Sequence, residues 1–197
     1  SEWRDRFGGW MAKPEPQALL NATIFFDLRP LYGQDELVDE LQQWLLPLPA
    51  QHPRFLRALA EQALGCTPSL GWFGKFVYDG GHRYPHTIDL KVRGVRPFVD
   101  SARIYALRHG VGLTNTMERL RAVGPLDQRA PSDTVASIEA LELIQRLRLQ
   151  RQLAGGEFDE VNRVDPAALT APQRMMLKEA FRQARLLQLR LQQAFLS

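Results

Sequence analysis

Side chains able to handle a phosphate or a carboxylate gather in one stretch of this chain, Thr87 to Arg103. Asp89 and Lys91 stand two apart. Arg96 follows Gly94 by two, and Asp100 and Arg103 come one and two helical turns further on. Arg offers bidentate contact to phosphate or carboxylate, Lys a point charge, and Asp an acceptor or a metal ligand. Ile88, Leu90 and Val92 alternate with Asp89, Lys91 and Arg93, which predicts a strand with one wet face. Gly94 is expected to break that strand, and Pro97 to open a helix in which Phe98, Ala102 and Tyr105 face inward. The cluster would then sit where a strand turns into a helix. The bland alternative is a salt-bridged hairpin face, and the spacing leaves both open.

A second candidate is Asp27. Ile24, Phe25 and Phe26 form a short apolar run that reads as a buried strand ending at this carboxylate, with Arg29 two residues on. Such a carboxylate can stand beside a metal–phosphate site. It can equally be half of a structural Asp–Arg pair or a helix cap. His82 and His86 are four apart, but Gly81 and Pro85 argue against a helix there, so a shared metal is not expected. Cys66 reads as a small buried apolar residue. No Gly-x-Ser-x-Gly, P-loop or His-Glu-x-x-His motif occurs.

The elements that must position these residues are mostly helical. Trp3, Phe7 and Trp10 give the first helix an aromatic face, ending before Pro14. Helices are expected over Gln34–Trp44 and Pro53–Leu64, with Gly65 as a C-cap. Gly71–Tyr78 reads as a strand, and Asp79-Gly80-Gly81 as a turn. A β-hairpin is therefore predicted, Lys75–Tyr78 against Thr87–Val92. Asn115-x-x-Glu118 is a capping box for a helix reaching Val123, which Gly124-Pro125 ends. Ser132-Asp133 is expected to cap a long helix with Val135, Ile138, Leu141, Ile144 and Leu149 inside. After a loop over Glu157–Leu169, Thr170-x-x-Gln173 caps the last helix, with a seam at Leu177, Ala184, Leu187 and Leu191. The expected fold is mainly α, a helical bundle carrying a small β-hairpin.

Composition sets outer limits. The chain has 197 residues, net charge +3 and a pI near 9.3. Its basic residues are almost all Arg, with Lys only at 13, 75, 91 and 178. No aromatic-interleaved basic stripe suggests nucleic acid, and no apolar run suggests a membrane span or a signal peptide. With one cysteine, no internal disulfide is available. Cytoplasmic location is the resulting expectation. The chain opens without Met on what reads as mid-helix, so a fragment of a longer protein is expected.

Several words of the sequence resemble a family of bacterial nucleotidyltransferase-like proteins. They are Trp3-x-x-x-Phe7-x-x-Trp10, Ile24-Phe25-Phe26-Asp27-Leu28-Arg29-Pro30-x-x-Gly33, and Ile88-Asp89-Leu90-Lys91-x-x-Gly94-x-Arg96-Pro97-x-Val99-Asp100-x-Ala102-Arg103. Further words are Asn115-Thr116-x-x-Arg119-Leu120, Arg146-Leu147-Arg148-x-Gln150, Asn162-x-x-x-x-Pro166-x-x-Leu169 and Leu177-Lys178-x-Ala180. In that family, cyclic-nucleotide-binding and CBS modules precede a catalytic domain similar to protein-PII uridylyltransferase and a C-terminal substrate-binding domain. Asp89-x-Lys91 with Gly94-x-Arg96 is similar to a motif of glutamine synthetase adenylyltransferases as well.

The resemblance implies that residues 1–49 are the tail of a polymerase-β-like nucleotidyltransferase domain, contributing a remnant strand and helix. Residues 50–197 would then be the helical substrate-binding domain. It implies Asp27 as the third metal carboxylate, and Arg29, Asp89, Lys91, Arg96, Asp100 and Arg103 as substrate contacts. The Gly-Ser and Asp-x-Asp motifs that hold Mg²⁺ and nucleotide triphosphate are missing from this chain, so it should transfer nothing alone. The resemblance further implies that Mg²⁺, the nucleotide triphosphate and a protein acceptor are handled by the longer parent. The competing expectation is a non-catalytic regulatory or dimerisation domain in signal transduction, a homodimer built on the apolar seam of the last helix.

Overall fold

The computed structural model describes residues 2–30, 32–157 and 160–197. The first three helices are α1 (Glu2–Ala12), α2 (Pro16–Phe25) and α3 (Asp35–Leu45). A short turn of helix, α4 (Leu48–Gln51), leads into α5 (Pro53–Leu64). The expected strand at Ile24–Leu28 is instead the end of α2 and the turn after it. A short apolar run does not by itself distinguish strand from helix. Here Pro16 starts a helix, and Leu19 and Ala22 bury its inner face, while Ile24 lies 59% exposed. Phe7 packs edge-on against Trp10 and Phe26, both at 5.2 Å between centroids. Phe26 stacks on Phe55 of α5 at 5.8 Å, which ties the first helices to the rest.

The end of α5 has an answer that the sequence did not reveal. Gly65 is right-handed, with φ −63°, rather than a left-handed cap. The buried Gln188 side chain donates instead to the carbonyls of Ala63 (3.2 Å) and Cys66 (2.9 Å). Carbonyls at a helix end need such partners.

The small antiparallel sheet exists, with a different partner from the one expected. Strand β1 (Ile88–Asp89) pairs with β2 (Arg163–Val164), Ile88 opposite Val164 and Asp89 opposite Arg163. Lys75–Tyr78 turns back on its own approach: Phe76 bridges to Leu70, and Val77 N–H donates to the Ser69 carbonyl at 3.2 Å. Trp72–Gly74 forms a 3₁₀ turn rather than part of a strand. Gly94 breaks nothing. The chain is already helical at Leu90, passes through a π-helical turn at Lys91–Val95, and continues as α6 (Arg96–Arg108). Gly94 lies there because a Cβ would come within 2.8 Å of Ile144 Cγ2.

Helix α7 (Thr116–Leu126) has the expected cap, Asn115 Oδ1 accepting from Met117 N–H (2.9 Å) and Glu118 N–H (3.2 Å). It carries Gly124-Pro125 inside its last turn instead of ending before them. Helix α8 (Pro131–Ala154) begins two residues early, with Ala130 at its N-cap and no side-chain cap. Ile138, Leu141 and Ile144 are buried as expected, but Val135 and Leu149 are exposed and Leu147 takes an inner place. Helix α9 (Ala171–Leu196) has the full capping box between Thr170 and Gln173. Its seam of Leu177, Phe181, Ala184, Leu187 and Leu191 is buried within this one chain, with α5, α6 and α8 as neighbours. The loop expected over Glu157–Leu169 holds β2 and two 3₁₀ turns; its Phe158 and Asp159 lie outside the described residues. Among the described residues no helix is long and apolar enough to cross a membrane.

Candidate functional site

Helix α6 carries the site. Its inner stripe of Phe98, Ala102, Ile104 and Tyr105 is buried. This fixes Arg96, Asp100 and Arg103 at i, i+4 and i+7 on a neighbouring face, where side chains of successive turns meet. Arg96 Nε donates to Asp100 Oδ2 at 3.1 Å, and Arg103 Nη1 reaches Asp100 Oδ1 at 3.4 Å. Arg103 Nη2 donates at 2.7 Å to Oδ2 of Asp27, seventy-six positions earlier in the chain. The other Asp27 oxygen, Oδ1, accepts from Arg119 of α7. The result is a line of alternating charge, Arg96, Asp100, Arg103, Asp27, Arg119, crossing from α6 to the turn after α2 and to α7.

Arg96, Asp100 and Arg103 form one wall of a cavity of about 300 Å³. Leu20 and Thr23 of α2 and Leu59 and Gln62 of α5 form the others. Arg96 is the accessible cation, its side chain 45% exposed against 13% for Arg103. The buried Arg103 Nε has no hydrogen-bond partner.

Burial acts on both carboxyls in the same direction, and their partners decide the outcome. Burial pushes Asp27 up, but the hydrogen bonds from Arg119 and Arg103 outweigh it, and the carboxyl is held below its ordinary value. At Asp100 burial wins over Arg96 and Arg103, and the carboxyl is raised. The two acids of the line are thereby pushed apart.

The other expected contacts lie elsewhere. Asp89 is a helix cap: its Oδ1 accepts from Lys91 N–H (2.8 Å) and Val92 N–H (3.0 Å). That role answers its sequence position, one residue before the chain turns helical. Lys91 is exposed at the start of the π-helical turn. Arg29 is exposed on the segment after α2. Neither Asp89, Lys91 nor Arg29 lines the cavity of Arg96. Asp89 joins a separate network in which Asp79 accepts from Asp89 N–H (3.0 Å), Arg93 (3.0 Å) and Arg163 (2.9 Å), pinning β1 to β2.

Asp27 in this setting does not fit a Mg²⁺ site. Both of its oxygens are taken by guanidinium groups, whereas Mg²⁺ needs open oxygen ligands in octahedral array. Among the described residues no three His, Cys, Asp or Glu side chains converge to supply one.

Two features escaped sequence reasoning. Arg119 lay in a resembling word but gave no sign of its partner, because the partner is ninety-two residues away. His109, Asp127 and Arg129 form a second cluster. His109 Nε2 stands 2.8 Å from Asp127 Oδ1, Arg129 lies 3.2 Å from Oδ2, and the Arg129 guanidinium stacks 4.3 Å from the Tyr105 ring centre. Burial raises the Tyr105 phenol pKa.

A helical bundle whose helix α6 sets Arg96 and Arg103 on the wall of a small cavity is the class that the fold and these residues define. The comparisons give that class a family. The profile of the family described as putative nucleotidyltransferase substrate binding domain matches residues 53–195, and the chain belongs to that family. No curated protein and no solved structure matches the chain.

Proposed function

We propose that this chain supplies the substrate-binding surface of a nucleotidyltransferase similar to protein-PII uridylyltransferase, and that Arg96 and Arg103 are its contacts to an anionic group of the substrate. The observation that carries the reading is the charge line on the cavity wall. Arg103 is pre-oriented by Asp27 and Asp100, so little side-chain entropy remains to be lost on binding. Arg96, held by one carboxylate and accessible, can re-aim toward a phosphate or carboxylate of the ligand. Asp27 serves here as the positioning anchor of Arg103 and Arg119. Residues 1–49 belong to the tail of the catalytic domain, and the Mg²⁺ and nucleotide triphosphate chemistry belongs to residues upstream. The acceptor is a protein in this reading, and CBS and cyclic-nucleotide-binding modules of the same polypeptide provide the sensing. The regulatory-dimer reading keeps one of its two motives, the missing metal motifs, since the apolar seam of α9 is buried in the chain's own core.

The test joins the chain to its encoded upstream sequence and supplies Mg²⁺ and labelled nucleotide triphosphates. Label transfer is expected, and Arg96→Ala is expected to cut it by about tenfold or more, the value of one lost charge-assisted hydrogen bond. The thermal midpoint should change little, because Arg96 is nearly half exposed and such partly solvated ion pairs contribute little. Undiminished transfer by Arg96→Ala overturns the assignment.

A further inference from the structure

The 3₁₀ turn at Trp72–Gly74 is costly in a way that the fold does not repay. Trp72 is 88% exposed and Phe73 97% exposed, side by side. Phe73 has φ +56°, a left-handed conformation that costs a non-glycine residue free energy. Large aromatics normally bury their rings, and strain of this kind collects where a ligand is held. The turn is nevertheless well framed. Gly71 N–H donates to the Lys75 carbonyl at 2.7 Å, Leu70 bridges to Phe76, and the Arg185 guanidinium bonds the Leu70 carbonyl. Two exposed rings are therefore offered to solvent from a braced backbone.

What lies beside the rings is cationic. Arg182 and Arg185 of α9 line the same cavity, of about 480 Å³, as Trp72 and Phe73. Gly74, with φ +68°, lies beside the Arg182 guanidinium: a Cβ there would stand 3.5 Å from Arg182 Nη2, an ordinary contact. Lys178 lies over the Phe76 ring at 5.3 Å. The opposing charge is Glu179, which holds Arg182 at 3.0 Å. The volume suits a small molecule. Flat apolar faces next to guanidinium groups match a planar ring that carries a negative group.

We propose that this turn and α9 form a binding site for a heteroaromatic ring bearing a phosphate, with the ring stacked on Trp72 and Phe73 and the phosphate held by Arg182 and Arg185. Charge complementarity and cavity size favour this occupant over an acidic polypeptide, which needs no aromatic platform. The site is separate from the cavity of Arg96 and does not rest on the role given to that residue.

The probe is AMP, titrated into the 197-residue chain while tryptophan emission is followed, with adenosine and inorganic phosphate as single-feature controls. AMP is expected to quench emission saturably, and each control to bind at least tenfold more weakly. Phe73→Gly is expected to weaken AMP about tenfold, within the range of one lost stacking partner. It should leave the urea midpoint unchanged or raise it, because it removes a strained residue that packs on nothing. Arg182→Ala should weaken AMP to a similar degree, and Arg57→Ala, an exposed arginine of α5 outside this cavity, should leave it unchanged. Absence of quenching by AMP overturns the proposal. So do a fall of the urea midpoint in Phe73→Gly and binding of polyglutamate in preference to AMP.

Discussion

Asp27 stands between two arginines, and that arrangement makes a definite demand on pH. Its folded carboxyl is held below the ordinary value of 3.8 because Arg119 and Arg103 outweigh burial. The folded chain therefore releases this proton more readily than the unfolded one. The stability it contributes is present above about 3.8 and is lost as pH falls through the lower folded value. Asp100 is the mirror case. Its folded carboxyl is raised by burial, so stability falls as pH climbs from 3.8 through the raised value. Asp27→Asn leaves Arg119, with a side chain only 5% exposed, as an uncompensated cation. A loss of about 3 kcal/mol is expected at pH 7, the low end for a broken buried pair because Asp27 keeps some solvent. Urea midpoints of both proteins between pH 7 and pH 2 provide the check. The gap should narrow as pH falls below about 3.8, where the unfolded chain's carboxyl takes up its proton, and close only below the lower folded value. A gap that stays constant to pH 2 means the aspartate acts through its shape and not its charge.

Among the elements, the helix that begins at Leu90 shows how far sequence logic reached. Helices such as α5 and α9 were legible because each signal acts within one or two turns: Pro53 at the start of one, Thr170 and Gln173 at the start of the other. Arg96, Asp100 and Arg103 were legible as a group for the same reason, being one, two and three turns along α6. The stretch Thr87–Val92 alternates like a strand, yet only Ile88 and Asp89 pair, because Ile88 and Leu90 are both taken into the helical core. Gly94 looked like punctuation, and it is a contact. No pattern in the local sequence reports that Ile144, fifty residues away, presses on it. The partners of Asp27 and of β1 were hidden for the same reason. Gly94→Ala tests this account of the π-helical turn. The added methyl should gain about 1 kcal/mol of helix propensity. It forces the stiff Ile144 Cγ2 aside at an overpacking cost of about 1–3 kcal/mol. A net destabilisation of about 1 kcal/mol is expected by urea unfolding, and Ile144→Val, which keeps Cγ2, should relieve little of it. A stabilised Gly94→Ala protein shows that the close approach is not limiting.

Across the whole molecule, the cavity of Arg96 is built by the first helices together with the middle of the chain. Leu20 and Thr23 of α2 close one wall, and Arg96, Asp100 and Arg103 of α6 close the opposite one. The first forty-nine residues also supply Phe26 against Phe55 and Asp27 against Arg103 and Arg119. The family match begins at residue 53, so the matched region holds the arginines but not the carboxylate that orients them. Removing residues 1–49 therefore takes away an aromatic partner of Phe55, which is fully buried, and leaves two guanidinium groups without Asp27. The shortened chain, residues 50–197, is expected to lose more than Asp27→Asn does, so more than about 3 kcal/mol, and to bind a hydrophobic dye at the uncovered Phe55 face. Adding the 1–49 peptide back at high concentration should suppress dye binding by covering that face, and a peptide carrying Asp27→Asn should do so less well. A shortened chain with the wild-type urea midpoint and no dye binding means that the first helices ride on the bundle without completing it.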